Sequence, residues 1–558
     1  MKQHIWQKNY DRGVPQTLKP YPGQTVLDVF VDTARRRPGD TCLVFKGTPY
    51  TYREVDKLSD ALAVALVENG TRRGDTVALL LPNCPEGVIG QLGTWKAGGI
   101  PVPLNPLYTT GELEEGINQS GATIALVYSQ LYPVIKSFQS RHPRLHMVVP
   151  VRIKDYSFKI AAPGGDREIL VQNGDAWLHE LLDRYMGKTP AHVKTGPADV
   201  ALILQSGGTT GKPRGIMLTH GALLAEALQL RAWLKPVLTS EKETIMLNLP
   251  LFHVFGNAAG LCVGIVARAP MALVPDPRDH GDILNTIQKV RPVLFAGVPT
   301  LFAAIANHPA VSDKKIDFSS VKLAVSGAAN LSAEVRDRFT RATGIRLIQG
   351  YGLTETSAAI IAEPVGKPGK PGAIGLPLPD VEIKIVDSDR GDKEVITGKE
   401  GEILVKCPQV MTGFWNSLEE TEEMLSGGWL HTGDIGYIDK DGYIFVTARK
   451  KELIKVSGFQ VWPNEIIQVL KTHPAVADAC VRGIPDAVQG ESVKAWVVLY
   501  QGMELTEEEL RDYCRQKLTA YKVPRYIEFR KELPSALSGQ KLCRILVEEE
   551  KAKTTARV

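Results

Sequence analysis

The feature that most constrains the fold is an alternation that runs along most of the chain. Short apolar runs of β type are each followed by a helical pattern. Residues 76–81 (TVALLL) come after a Gly-Asp turn and read as a buried strand, residues 85–96 as a helix, and residues 99–103 (GIPVP) as the next strand. Residues 123–127 (TIALV), 201–204 (ALIL), 271–274 and 323–325 repeat the theme. Apolar strands separated by helices predict parallel sheets covered by those helices, the α/β class.

The texture changes after Gly366. Residues 367–372 (KPGKPG) form a loop, and residues 381–386, 401–405 and 443–446 show alternating β patterns, which predict a small β-rich subdomain. Beyond the basic cluster 449–451 lies a last α+β unit, with a helix predicted over 463–472, a strand over 493–500 and a helix over 507–517. The boundary is placed at this cluster: a large domain over 1–450 and a small C-terminal domain over 451–558. Residues 154–175 have no clear period and read as a surface excursion.

Composition narrows the function. A chain of 558 residues exceeds what one ordinary core serves, in keeping with the division above. A net charge of +4 on so long a chain gives no electrostatic case for nucleic acid. The seven cysteines form no Cys-x-x-Cys pair and no zinc spacing, so free thiols in a reducing cytoplasm are expected. The first residues, MKQHIWQK, lead into no apolar run, so they are not read as a signal peptide. The most apolar stretch, 260–275, is interrupted by Arg268 and is too short to span a bilayer. A soluble protein is expected.

One glycine-rich segment carries chemistry. Residues 205–215 read Gln-Ser-Gly-Gly-Thr-Thr-Gly-Lys-Pro-Arg-Gly. Gly207, Gly208 and Gly211 let the backbone approach a phosphate, and successive N–H groups form an anion nest. Ser206, Thr209 and Thr210 add hydroxyl donors, and Lys212 and Arg214 add positive charge. A flexible polar turn is an equal reading of this loop alone. It is not a Walker A loop, because Lys212 is followed by Pro213 and the glycine spacing differs. Further segments follow in order: Leu249-Pro-Leu-Phe-His-Val-Phe-Gly256, Ser326-Gly-Ala-Ala-Asn330, Gln349-Gly-Tyr-Gly-Leu-Thr-Glu355, Gly428-Trp-Leu-His-Thr-Gly-Asp434 and residues 449–461 (RKKELIKVSGFQV). Taken singly, these read as a core histidine, small-residue turns and a solvated basic stretch.

Together, in this order, they resemble the acyl-activating, adenylate-forming superfamily. The resemblance covers roughly residues 25–553 and is nearest to bacterial long-chain fatty acid–CoA ligases, with residues 81–85 (LPNCP), 97–100 (AGGI), 105–108 (NPLY) and 520–524 (AYKVP) adding to it. It implies an ATP-dependent acid–CoA ligase that makes acyl-AMP and then acyl-CoA, with ATP, Mg²⁺ and coenzyme A as cofactors. The loop 206–212 would grip ATP phosphates. Gly327, Ala328 and Ala329 would flank adenine, and Tyr351, between Gly350 and Gly352, would stack on it. Thr354 would donate to the α-phosphate and Glu355 would ligate Mg²⁺. Asp434 would take the ribose hydroxyls, Arg449 the ribose or phosphate, and Val446 would also contact the nucleotide. His253, Val254, Phe255, Gly256 and Ser326 would line the acyl site. Lys451 would be the hinge of a mobile C-terminal domain. Lys455, Ser457, Gly458 and Phe459 would face CoA after that domain rotates. A fatty acid is the expected substrate, with a medium-chain or cyclic acid as the alternative. An acyl-AMP ligase serving a carrier protein would share every ATP motif. Peripheral membrane contact and a homodimer are further expectations, and no nucleic acid partner is.

One departure stands out. The family ends with Gly-Lys-x-Leu-x-Arg, whose lysine contacts the acyl carboxylate and the α-phosphate. Anchored on Gly539, Leu542 and Arg544, this chain has Gln540 there, with Lys541 one residue on. Glutamine cannot neutralise charge developing on phosphate, and losing one preorganised donor typically costs about 10²- to 10³-fold in rate. Lys541 would have to act through a register shift, yet in an extended segment a one-residue step points a side chain the opposite way. An adenylation-impaired natural variant, or a substitution introduced to trap a complex, is the preferred account.

Overall fold

Glycine spacing on one helix shows how the parallel region is packed. Helix Pro85–Lys96 is buried along almost its whole length. A Cβ on Gly93 would come within 2.8 Å of Leu62 in helix Tyr52–Glu68, and one on Gly90 would stand 3.2 Å from Leu79 in strand Thr76–Leu80. Glycine at these places lets helix meet helix and sheet closely. Lys96, at the end of the helix, is buried but paired with Asp56 and Asp60 at 2.6 and 2.7 Å, as a buried ammonium requires. The second helix starts from Thr51, whose hydroxyl and Glu54 complete a capping box.

The computed structural model describes residues 4–153, 169–206, 214–387, 391, 393–456, 459–461, 463–486, 490–534 and 543–555. They form two compact units, residues 1–382 with 406–430, and residues 383–405 with 431–558. The predicted excursion at 154–175 lies mostly outside the described residues.

The first unit holds the predicted parallel sheets. One has four parallel strands in the order Ile100–Pro103, Thr76–Leu80, Ile124–Tyr128 and Met147–Val151. The other has nine strands. Its centre runs parallel through Leu347–Leu353, Leu323–Ser326, Leu294–Gly297, Ile245–Leu247, Met271–Leu273 and Thr41–Phe45. Its edges are antiparallel, with Ala358–Ala362 and Leu376–Pro377 at one side and Thr48–Thr51 at the other. Phe295, Phe302 and Phe339 are buried together, with Phe302 edge-on to Phe295 at 5.3 Å and to Phe339 at 4.9 Å. The run 201–204 departs from the parallel expectation. It belongs to strand Val200–Ser206, in a three-stranded antiparallel sheet with Arg214–Thr219 and Gly413–Phe414. An apolar run shows that a strand is buried and says nothing of its partner's direction.

The second unit contains the β-rich piece, with strands Glu382–Val386, Gly401–Lys406, Leu430–Ile438 and Ile444–Arg449. It also contains a five-stranded sheet built on the long hairpin Val476–Asp486 and Gly490–Leu499. Helices Pro463–Lys471, Glu507–Arg515 and Cys543–Thr555 accompany that sheet. The expectation of free thiols is corrected here. Cys480 and Cys543 are bonded, with Cα atoms 6.2 Å apart, beside buried Trp496 and Leu546. They are 63 residues apart in sequence, so only the packing of the last helix on strand Val476–Asp486 reveals the pair. Cys42, Cys84, Cys262, Cys407 and Cys514 are free. Among the described residues, no helix is long and apolar enough to cross a membrane.

Candidate active site

The glycine-rich segment joins two antiparallel strands. Ser206 stands opposite Arg214 in the register, so residues 207–213 connect the arms of a hairpin. Gly207, Gly208, Thr209, Thr210, Gly211 and Lys212 lie outside the described residues. Arg214 forms an ion pair with Glu420 at 2.6 Å, and its guanidinium lies 5.4 Å from the Phe414 ring centre. Part of the positive charge expected beside the loop is thus matched by a carboxylate.

In open parallel sheets, ligands bind beyond the carboxyl ends of the strands. Three strands of the nine-stranded sheet deliver three of the segments to that edge: Leu347–Leu353 and Leu323–Ser326, which are neighbours, and Ile245–Leu247, which is separated from them by Leu294–Gly297. After Ile245–Leu247 the chain reaches His253, whose Nδ1 accepts the N–H of Phe255 at 3.2 Å. His253 remains accessible to solvent, yet protein atoms crowd it enough to hold its imidazole below its usual pKa. Val254 and Gly256 are buried, and a Cβ on Gly256 would lie 2.2 Å from the Pro250 carbonyl oxygen. Strand Leu323–Ser326 ends in Gly327, against which the Phe255 ring packs: a Cβ there would stand 2.6 Å from the ring. Phe255 and Gly327, expected on the acyl and adenine sides respectively, are direct neighbours. Ser326 is fully buried, and its hydroxyl has no hydrogen-bond partner among the described residues. Ala328 follows in a left-handed conformation, φ 63°.

Strand Leu347–Leu353 carries Gly350, Tyr351 and Gly352. Gly352 is required sterically, because a Cβ there would lie 1.4 Å from the Ala358 carbonyl oxygen. Thr354, Glu355 and Thr356 make one 3-10 turn, and strand Ala358–Ala362 then returns antiparallel. Thr356 ties this turn down: its hydroxyl accepts the Leu353 N–H at 3.0 Å and lies 3.1 and 3.2 Å from the carbonyl oxygens of Leu353 and Ala358. Glu355 is anchored through its backbone, whose carbonyl accepts the Met411 N–H at 2.8 Å.

In the second unit, Asp434 and Arg449 face each other across strands Leu430–Ile438 and Ile444–Arg449. Arg449 Nε donates to Asp434 Oδ1 at 2.9 Å, and the Asp434 side chain is only 2% exposed. The pairing depends on a bulge. Ile435 opposes Ala448 and Gly436 opposes Val446, which leaves Thr447 as the extra residue. Gly436 permits it, since a Cβ there would stand 2.0 Å from the Phe445 carbonyl oxygen. The Thr447 carbonyl accepts from Asn464 Nδ2 at 2.9 Å. Buried Glu402 takes Lys450 Nζ at 2.7 Å, with His431 Nδ1 at 3.5 Å. Lys451 lies in the 3-10 turn Lys450–Glu452. Lys455 and Phe459 lie on the paired strands Ile454–Val456 and Phe459–Val461. Ser457, Gly458, Gln540 and Lys541 lie outside the described residues.

Comparison with known proteins decides what these pieces belong to. Residues 30–415 match the family of AMP-binding enzymes, and residues 465–540 match the AMP-binding enzyme C-terminal domain. The chain belongs to the AMP-binding enzyme family. Within it, this AMP-binding enzyme falls among the AMP-forming acid–CoA ligases. It is 37% identical to the long-chain-fatty-acid–CoA ligase of Bacillus subtilis (strain 168), with 98% of each chain covered. It is 34% identical to 4-coumarate–CoA ligase 1 of Solanum tuberosum, covering 88% of this chain and 87% of that one. Among solved structures, it resembles ATP-bound MatB from Rhodopseudomonas palustris at 28% identity and a TM-score of 0.82, covering 95% and 99% of the two chains.

Motif reading of this AMP-binding enzyme missed the groups beneath the motifs. Glu226 and Gln409 hold the backbone just after Glu355. Glu363 accepts the Gln349 N–H at 2.7 Å and pairs with Arg336 at 2.9 Å. Glu402 steadies Lys450. One signal was available: a lone acidic residue in the helical run 222–230 (ALLAEALQL), which is apolar apart from it and Gln229.

Proposed function

We propose that this enzyme activates a long-chain fatty acid with ATP and then passes the acyl group to CoA. The acid's carboxylate oxygen attacks the α-phosphorus, pyrophosphate leaves, and acyl-AMP forms. CoA thiolate then attacks the acyl carbonyl and AMP leaves. The observation that carries the choice of acid is the 37% identity, over nearly the full length of both chains, with a ligase named for long-chain fatty acids.

In this reading Tyr351 stacks on adenine, whose other contacts are the small residues Gly327, Ala328 and Ala329. Asp434, steadied by Arg449, accepts from the ribose hydroxyls. Thr354 donates to the α-phosphate. Phe255, beside Gly327, borders the acyl path near His253. Glu355 is the protein's ligand for Mg²⁺. A carboxylate is a hard oxygen donor that suits such an ion, since Mg²⁺ is usually held by one or two carboxylates together with substrate phosphates. When bound, it screens phosphate charge. Lys451 serves as the hinge between domains 1–450 and 451–558, and Lys455, Ser457, Gly458 and Phe459 serve CoA. Gln540 gives a slow adenylation step. The cytoplasm is the proposed location.

An aromatic acid is the second reading. The similarity to 4-coumarate–CoA ligase 1 favours it, as does a solved anthranilate–CoA ligase bound to anthranoyl-AMP, 28% identical with a TM-score of 0.81. A panel of long-chain, medium-chain and aromatic acids with ATP, Mg²⁺ and CoA, followed by AMP and thioester release, separates the two. Absence of thioester with every acid would sink both.

A further inference from the structure

The turn that follows Glu355 has an uncommon backbone. Ser357 has φ 54° and Ala358 has φ 111°, two successive non-glycine residues at positive φ. Such conformations are unfavourable for side-chain-bearing residues and persist only where the surroundings over-determine them. Three contacts from outside the turn do so. The Ser357 hydroxyl donates to the Gln409 carbonyl at 2.8 Å, the Met411 N–H donates to the Glu355 carbonyl at 2.8 Å, and the Ala359 N–H donates to Glu226 Oε1 at 2.6 Å.

Glu226 is the unexpected member. It lies on helix His220–Trp233, fully buried, in the run 222–230, whose one other polar residue is Gln229. Its second oxygen accepts from Gln409 Nε2 at 3.3 Å. Gln409 also exchanges amide hydrogen bonds with Gln229, which donates to the Tyr21 hydroxyl at 3.0 Å, and Tyr21 donates to Asp380 at 2.9 Å. No cation lies among these partners of Glu226, and burial drives its carboxyl strongly toward the neutral form. An uncompensated buried carboxyl is unfavourable, and an apolar residue would suit the helix better. Its place is explained by what it holds.

We infer that Glu226 is a positioning residue for adenylation: it fixes the 357–359 backbone and thereby sets Thr354 and Glu355 toward the nucleotide. This rests on the reading of Thr354 and Glu355 given above. Misplacing a reacting group by about 1 Å is enough to lower a rate by about 100-fold.

The test measures fatty-acid-dependent ATP–pyrophosphate exchange, Mg²⁺ dependence and melting temperature on the full-length enzyme. Glu226→Leu should lower the turnover of exchange by about 10- to 100-fold and raise the Mg²⁺ requirement, leaving the KM for CoA in the thioester step unchanged. Glu226→Gln keeps an oxygen for the Ala359 N–H and should restore turnover. Glu226→Leu with Ala358→Gly should recover part of it, because glycine adopts positive φ freely. If Glu226→Leu does not fold, Glu226→Asp, one methylene shorter, should show the same loss at a near-native melting temperature. Wild-type exchange in Glu226→Leu or Glu226→Asp, with Glu355→Gln inactive, would overturn the inference and leave the site reading standing. Wild-type exchange in Glu355→Gln would overturn the site reading and this inference with it.

Discussion

Replacing Asp434 by asparagine tests the nucleotide site at its best-defined point. The side chain is 2% exposed, its partner Arg449 is 39% exposed, and Nε and Oδ1 are 2.9 Å apart. Asparagine keeps the shape and an acceptor oxygen but removes the charge. Because Arg449 is partly solvated, the loss of stability should be near ~1 kcal/mol, well below the 3–5 kcal/mol typical of breaking a fully buried pair. The effect on ATP should be larger. A hydrogen bond to a charged group contributes ~1.5–3 kcal/mol. Weakening the two ribose contacts to neutral strength should raise the KM for ATP by about 10- to 100-fold, at about 1.4 kcal/mol per tenfold. The KM for the acid and the fold, read by circular dichroism, should hardly change. Initial rates of acyl-AMP formation against ATP concentration, with a calorimetric melting curve, separate the two effects. An unchanged KM for ATP beside a lowered melting temperature would make Asp434 only a structural partner of Arg449, and the ribose assignment would be wrong.

Other perturbations address different parts. Gln540→Lys should raise ATP–pyrophosphate exchange by about 10²- to 10³-fold, and an unchanged rate would remove the argument from lost charge. Gly352→Ala should abolish acyl-AMP formation, since its Cβ would lie 1.4 Å from the Ala358 carbonyl oxygen, and wild-type exchange would show that the turn has another conformation. His220 is buried, and burial pushes its pKa down to about 4 from 6.5 against the pull of Asp199 and Asp28. Between those values the unfolded chain binds the proton and the folded one does not, so stability should fall by ~3 kcal/mol as pH drops from 6.5 to 4. Urea unfolding across that range should show the slope, and His220→Phe should reduce it.

The parallel sheets were legible because apolar runs such as 76–81 and 123–127 alternate with helices, and burial on both faces leaves that signature in composition. The candidate site residues stood out as strings: Gly350, Gly352 and Glu355 stand in a pattern that resembles one family's. The antiparallel setting of Val200–Ser206 was not legible, because apolar character carries no information on partner direction. Nor was the Cys480–Cys543 bond, which depends on where the last helix packs. The buried carboxyls Glu226, Glu363 and Glu402 were also missed, since their roles lie in contacts with backbone and side chains far along the chain.

The two best-described pieces of the proposed nucleotide site, one in each unit, share one physical device. At Gly436 and Gly352, missing Cβ atoms let a backbone pass within a distance that any other residue would forbid. The first close approach accompanies a bulge that sets Asp434 opposite Arg449. The second closes the turn that carries Thr354 and Glu355. A one-residue change of register would turn Asp434 to the other face of its sheet, with the motif unaltered in sequence. Groups outside the motifs hold these registers: Asn464 on the Thr447 carbonyl in one unit, Glu226 and Gln409 on Ala359 and Ser357 in the other. Substitutions in those supports should therefore impair the nucleotide site without touching a motif residue.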